Sequence, residues 1–136
     1  MKIYDDIVSL YPDKITTNVE LDNIMKSYNL QRYKFIGVYS RDTIPKRMRQ
    51  NTALIFNNED SNESGEHWLC YAKDSKNTYI YDSFGRPNKY FDFGKKYIQT
   101  HPDAEQDISQ NNCGFRCISF LVCCEIFTVE IVSKYI

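Results

Sequence analysis

The sequence predicts one domain of mixed α and β structure, and three observations carry that prediction. Its 136 residues suit a single hydrophobic core rather than two. Two aromatic-rich runs, Trp68-Leu69-Cys70-Tyr71-Ala72 and Thr78-Tyr79-Ile80-Tyr81, are separated by Lys73-Asp74-Ser75-Lys76-Asn77, which is the pattern of a β-hairpin. Finally, the segment from Gly114 to Ile126 is apolar on nearly every side. Its length favours a helix over a strand, and a helix greasy all round belongs in the centre of a molecule.

The remaining elements follow along the chain. Thr17 and Glu20 form a capping box ahead of Val19, Leu21, Ile24 and Met25, which predicts a short helix. Lys34 to Tyr39 reads as a strand. In Arg41-Asp42-Thr43-Ile44-Pro45, Asp42 or Thr43 is suited to cap a turn of helix with Pro45 in its first positions. Ala53-Leu54-Ile55-Phe56 is a short apolar run bounded by polar residues, hence a buried strand. Asn57 through Gly65 is a polar loop, Phe84-Gly85-Arg86-Pro87 a turn, and Tyr90 to Thr100 a candidate helix weakened by Gly94.

Composition narrows the function classes. Hydrophobic residues make up 42% and charged residues 26% of the chain, the balance of a globular protein rather than a disordered one. The 11 Tyr and 8 Phe supply core volume that aliphatic residues would otherwise provide. A net charge of -1 gives no global pull toward nucleic acid or an anionic membrane. The basic run Lys46-Arg47-Met48-Arg49 leaves a local DNA contact open, although a solvated helix face is the simpler account. No apolar stretch is long enough to span a bilayer, and the acidic start Met1-Lys2-Ile3-Tyr4-Asp5-Asp6 is unlike a signal peptide. Five cysteines, four of them between Cys113 and Cys124, read as free thiols of a reducing compartment rather than a secreted disulfide framework.

The chemistry centres on one of those thiols. Cys113 follows Asn111-Asn112, a pair able to cap a helix, and precedes Gly114 at the start of the apolar helix. Unpaired N–H groups and the positive end of the helix dipole favour a thiolate there. Gly114 leaves room for a substrate carbonyl to approach the backbone. A general base is needed, and the chain has two histidines. His101 precedes Pro102 in a polar stretch, whereas His67 begins a strand beside the single Trp. With the hairpin turn centred on Asp74-Ser75, Cys70 pairs with Tyr79 and His67 falls directly opposite Asp82, with Cβ atoms about 4.5–5.5 Å apart. A carboxylate at that distance can hold an imidazole N–H and set its tautomer. For the oxyanion, Gln106 and Gln110 are candidate side-chain donors, and Gln106 has more loop with which to reach back.

Taken together, Gly65-Glu66-His67-Trp68, then Tyr81-Asp82-Ser83-Phe84-Gly85, then Gln106 with six intervening residues before Cys113-Gly114 resembles the active-site series of adenovirus-type (adenain-like) cysteine proteases. Ubiquitin-like-protein-specific proteases share this order. The upstream stretch Phe35 to Pro45 is similar to the corresponding segment in proteases of virophages and of virus-like Maverick (Polinton) transposons. The resemblance runs from about Tyr33 to Cys123. It implies His67 as general base, Asp82 as its orienting carboxylate, Cys113 as nucleophile and Gln106 as oxyanion donor, with Trp68 and Gly114 beside the substrate. The implied fold is α+β and papain-like: a mostly antiparallel central sheet carries His and Asp, and a buried central helix carries the cysteine, in one domain spanning residues 1–136. The implied substrates are viral capsid and core precursor polypeptides cut at small-residue, glycine-containing sites. The implied setting is the virion and the host cytoplasm (virus factory) or nucleus, without secretion, membrane, metal or cofactor. The chain has no cysteine between Ser83 and Asn112, so activation by a disulfide-linked peptide, known in adenoviral enzymes, is not expected.

Three rival readings remain on the sequence, one of them an inactive family member used as a scaffold, against which the complete set of catalytic residue types argues. The same series serves an isopeptidase that removes ubiquitin or a ubiquitin-like modifier. From another class, Cys113, Cys117, Cys123 and Cys124 with His67 offer ligands to a zinc-binding interaction module, although their spacing fits no common zinc pattern.

Overall fold

In the computed structural model, which describes residues 1–14, 16–59, 62, 67–84, 97–100 and 111–135, the strand-forming runs assemble into one five-stranded sheet. The strands are β1 (Lys34–Tyr39), β2 (Thr52–Asn57), β3 (Trp68–Lys73), β4 (Thr78–Tyr81) and β5 (Ile98–Gln99), and they lie side by side in chain order. β2, β3 and β4 are antiparallel, whereas β1 runs parallel to β2 and β5 parallel to β4. The sheet is therefore mixed rather than mostly antiparallel, with the antiparallel part at its centre. Among the described residues four α-helices accompany it: α1 (Lys2–Val8), α2 (Asn18–Tyr28), α3 (Cys113–Phe127) and α4 (Val129–Tyr135).

Period-two alternation explains how short strands come to be buried on both sides. Along β2, Ala53 and Ile55 face the helices with Cys70, Ala72, Tyr79 and Tyr81. Leu54 and Phe56 face the other way, with Leu69, Tyr71, Ile80 and Met48. Every residue of β2 is buried, as the uninterrupted apolar run predicts. α3 lies on the first face and packs against α1, α2, α4 and β3. Every residue from Cys113 to Leu121 is buried, which accounts for the helix's lack of a polar stripe. Within this layer Tyr81 stacks on Phe120, with centroids 4.5 Å apart.

Local rules placed most elements. Thr17 and Glu20 close both halves of the capping box, and α2 ends at Asn29 in the left-handed region with φ 50°, a conformation Asn tolerates. Other expectations need correction. At the turn of helix Arg41–Thr43 the N-cap position belongs to Ser40, not to Asp42 or Thr43, with the Ser40 N–H donating to Thr43 Oγ1 at 3.0 Å, and Pro45 follows the turn instead of starting it. The basic run 46–49 is irregular rather than helical: Lys46, Arg47 and Arg49 are exposed and Met48 is buried. Ile98 and Gln99 pair with Tyr79 and Ile80 as a strand, so the end of the candidate helix at 90–100 follows its β-branched and aromatic residues instead. Residues 90–96 of that candidate lie outside the described residues, as do most of the polar loop and the turn beyond Phe84. α1 and α4, each of seven residues, are too short to announce themselves by periodicity.

The chain leading into α2 folds across the start of α3. Asp13 accepts the Asn111 N–H at 2.8 Å, and the carbonyl of Thr16 accepts the Trp68 indole N–H at 3.1 Å. Thr16 is packed so closely on α3 that a Cβ built on Gly114 would stand 2.1 Å from its Oγ1, and 3.0 Å from Leu21 Cδ2. Substituting Gly114→Ala is expected to destabilise the protein by about 1–3 kcal/mol through overpacking. The double variant Thr16→Ala/Gly114→Ala should recover much of that loss. Urea unfolding of the single and double variants checks this, and a Gly114→Ala protein as stable as wild type contradicts the packing.

Candidate active site

His67 and Asp82 sit at neighbouring strand ends. Asn58 pins the first: its Oδ1 accepts the His67 N–H at 3.1 Å, and its own N–H donates to the His67 carbonyl at 3.0 Å. Asp82 follows β4 directly and closes a small turn by accepting the Phe84 N–H at 2.9 Å, the habit of an Asx residue after a strand. The same carboxylate oxygen lies 2.6 Å from His67 Nε2. Both side chains are buried, His67 at 2% and Asp82 at 0% exposure.

The route to this contact differs from the one the sequence suggests. The hairpin pairs Cys70 with Tyr81 and Ala72 with Tyr79, so its turn is centred on Ser75-Lys76. Asp74 fixes that register, since its carboxylate accepts the N–H groups of Lys76 and Asn77 at 2.8 and 2.6 Å. Extended past the strand ends, the pairing sets Phe84, not Asp82, opposite His67. The Phe84 ring does stack on the imidazole, with centroids 4.2 Å apart and planes 16° from parallel. Asp82 reaches His67 on the diagonal, a distance long side chains bridge. The slip is two residues in the partner, which keeps His67 and Asp82 on one face.

A carboxylate only accepts, so Nε2 carries the proton and Nδ1 presents a lone pair. Nδ1 is buried without a hydrogen-bond partner, and the Cys113 thiol acts on this same ring. Burial by itself opposes protonation of His67. The Asp82 hydrogen bond and the neighbouring thiol outweigh it, and the net effect raises the imidazole pKa above its ordinary value. Cys113 is the first residue of α3, and its Sγ accepts the Trp68 N–H at 3.5 Å. It is 9% exposed, against at most 1% for the other four cysteines. Those four are also free thiols, and burial pushes each of them up, Cys123 to about 11. They are core residues. The arrangement therefore joins a thiol, a base and an orienting carboxylate, the parts that thiol nucleophilic chemistry requires.

Other predicted site residues fall as follows. Trp68 and Gly114 meet each other and Thr16 beside Cys113, so the space at the Gly114 α-carbon is taken up by the chain itself. Gln106, Gln110, His101, Gly65, Glu66 and Gly85 lie outside the described residues. Asn112 stands at the N-cap of α3 but does not cap it with its side chain; that oxygen accepts from Arg116 Nε at 3.0 Å. Sequence reasoning missed Asn58, Phe84 as a ring partner, and Thr16. Of these, only Phe84 stood within a quoted motif. Among the described residues, no group of three or more His, Cys, Asp and Glu is arranged to hold a metal ion, and no helix is long and apolar enough to cross a membrane.

The raised pKa has a consequence for stability. Folded protein holds a proton on His67 that the unfolded chain releases, so the stabilisation is fully present below about 6.5, the ordinary imidazole value, and is lost as pH rises through the higher folded-state value. Chemical-denaturation midpoints taken upward from pH 6 should therefore fall in wild type more than in His67→Gln. Parallel profiles in the two proteins contradict this. Compared with known proteins, the chain matches no family model and no curated protein.

Proposed function

We infer that the protein is a cysteine peptidase of the adenovirus-protease type. The observation that carries this reading is the buried His67–Asp82 hydrogen bond of 2.6 Å, on an imidazole that feels the thiol at the first residue of the central helix. The mixed sheet with a helix across one face is compatible with a papain-like α+β domain, and the family resemblance of the sequence supplies the rest.

In this mechanism His67 Nδ1 takes the Cys113 proton, and the thiolate adds to the carbonyl carbon of the scissile bond. The carbonyl electron pair moves onto oxygen, where the Cys113 N–H and the Gln106 side chain donate to it. The imidazolium, held by Asp82, then protonates the leaving amine as the tetrahedral species collapses to a thioester. Water activated by the same imidazole hydrolyses the thioester and returns the free thiol. Asp82 stabilises the imidazolium throughout without itself accepting the proton.

The substrates on this reading are viral capsid and core precursor polypeptides, cut at glycine-containing sites during virion maturation in the host cell's virus factory or nucleus. Isopeptidase activity on ubiquitin-like modifiers would use the same residues, and so becomes an outcome of the test. Purified protein is expected to cleave glycine-containing precursor peptides and to lose that activity in Cys113→Ala. Near neutral pH, alkylating reagents should modify Cys113 ahead of the other thiols, with much of the preference lost in His67→Ala. Labelling by modifier-based vinyl sulfone probes without precursor cleavage would assign the isopeptidase role instead. Equal alkylation of Cys113 in wild type and His67→Ala would sink both.

A further inference from the structure

A guanidinium is buried one turn along α3 from Cys113. Arg116 is 8% exposed in a helix whose other buried side chains are nearly all apolar. Its Nε donates to Asn112 Oδ1 at 3.0 Å, and its NH1 donates to the Tyr4 hydroxyl at 3.4 Å. The Tyr4 hydroxyl in turn hydrogen-bonds the Tyr81 hydroxyl, on the residue next to Asp82. One buried polar chain thus runs from the residue before the thiol, through Arg116 and α1, to the residue before the carboxylate.

The contact to Asn112 is the informative link. Asparagine is among the strongest N-cap residues, because its side-chain oxygen accepts an N–H from the second or third residue of the helix. Those residues here are Gly114 and Phe115. Asn112 occupies the N-cap position with φ -99° and ψ 26° and makes no such bond. Its oxygen is spent on Arg116 instead. A cap would set a partly negative oxygen at the helix end, where a thiolate and a developing oxyanion need positive potential. Two further groups converge on that end without hydrogen-bond partners: His67 Nδ1 and Thr16 Oγ1, on residues 2% and 4% exposed.

We propose that Arg116 is a positioning residue for the peptidase reaction: it draws the Asn112 side chain off the first turn of α3 and so keeps a partly negative oxygen away from the Cys113 N–H, where the substrate oxyanion develops. This role rests on the peptidase function inferred above. Arg116 touches no substrate. It acts through Asn112, with Tyr4 and Tyr81 anchoring its far end.

Three variants test it: Arg116→Met, Asn112→Ala and the double variant, with Arg116→Lys as the conservative control and thermal melting to establish folding. Losing the contact should lower kcat at least about tenfold, less than the loss of an oxyanion donor itself, because the Cys113 N–H stays in place while a partly negative oxygen comes to lie beside it. KM should change little. Deleting the Asn112 side chain as well should recover most of kcat, an outcome that a purely structural role for Arg116 would not produce. Hydrogen exchange at the Gly114 and Phe115 amides gives a readout independent of catalysis, and it should slow in Arg116→Met as Asn112 swings onto them. Should Arg116→Met not fold, Arg116→Lys carries the comparison, with partial loss of kcat restored by Asn112→Ala. Unchanged kcat in Arg116→Met, or a double variant no better than the single one, overturns the proposal while leaving the peptidase function standing. Failure of the wild type to cleave any glycine-containing peptide removes that function, and the role of Arg116 with it.

Discussion

The site depends on one buried hydrogen bond, from the imidazole of His67 to the carboxylate of Asp82. Taking a carboxylate and an imidazole out of water is costly unless each satisfies the other. Here one carboxylate oxygen serves two donors, His67 Nε2 and the Phe84 N–H. The same turn that supplies the second donor brings the Phe84 ring against the imidazole, so ring orientation and tautomer are fixed together. What is left over is one lone pair at Nδ1, buried and without a hydrogen-bond partner, on a ring that feels the Cys113 thiol.

The rest of the fold can be understood as the means of keeping that lone pair and the thiol in register. The antiparallel core of the sheet fixes the two strand ends. The first half of α3 is buried on every side, and its start is held by the chain before α2, through Asp13 on Asn111 and Thr16 on Trp68 and Gly114. Glu125 ties the other end of the helix down, its carboxylate accepting the N–H groups of Gln31 and Arg32 at 3.0 and 2.7 Å. A helix fixed at both ends cannot slide along the sheet. The thiol and the imidazole come from elements far apart in sequence, so the cost of bringing them together is met by folding; under the proposed peptidase function it is not met again during the reaction.

Much of this was legible in the sequence because the signals were local. The capping box at Thr17, the apolar run of β2 and the all-apolar helix each follow from neighbouring residues, and the structure reproduces all three. The hairpin was legible as a hairpin, but its register was not. Asp74 hydrogen-bonds two successive amides beyond it, which moves the turn by one residue, and nothing in the pattern of the strands distinguishes the two centres. His67 and Asp82 meet in either register because an even slip preserves the face. The parallel pairing of β1 and β5 was hidden for a different reason: strand direction is decided by tertiary connections that periodicity does not encode. The engagement of Asn112 by Arg116 was likewise invisible, since an Asn before a helix reads as a cap until its competitor is seen.

On the proposed function His67 shares its two nitrogens between Asp82 and Cys113. Nitrogen-15 NMR of the imidazole, assigned with a His101→Gln variant, measures this directly. The expected result is a His67 ring protonated at Nε2 when neutral, titrating above the ordinary histidine range, with that titration displaced on substituting Cys113→Ala. A ring protonated at Nδ1, or one whose titration is indifferent to Cys113, would contradict it.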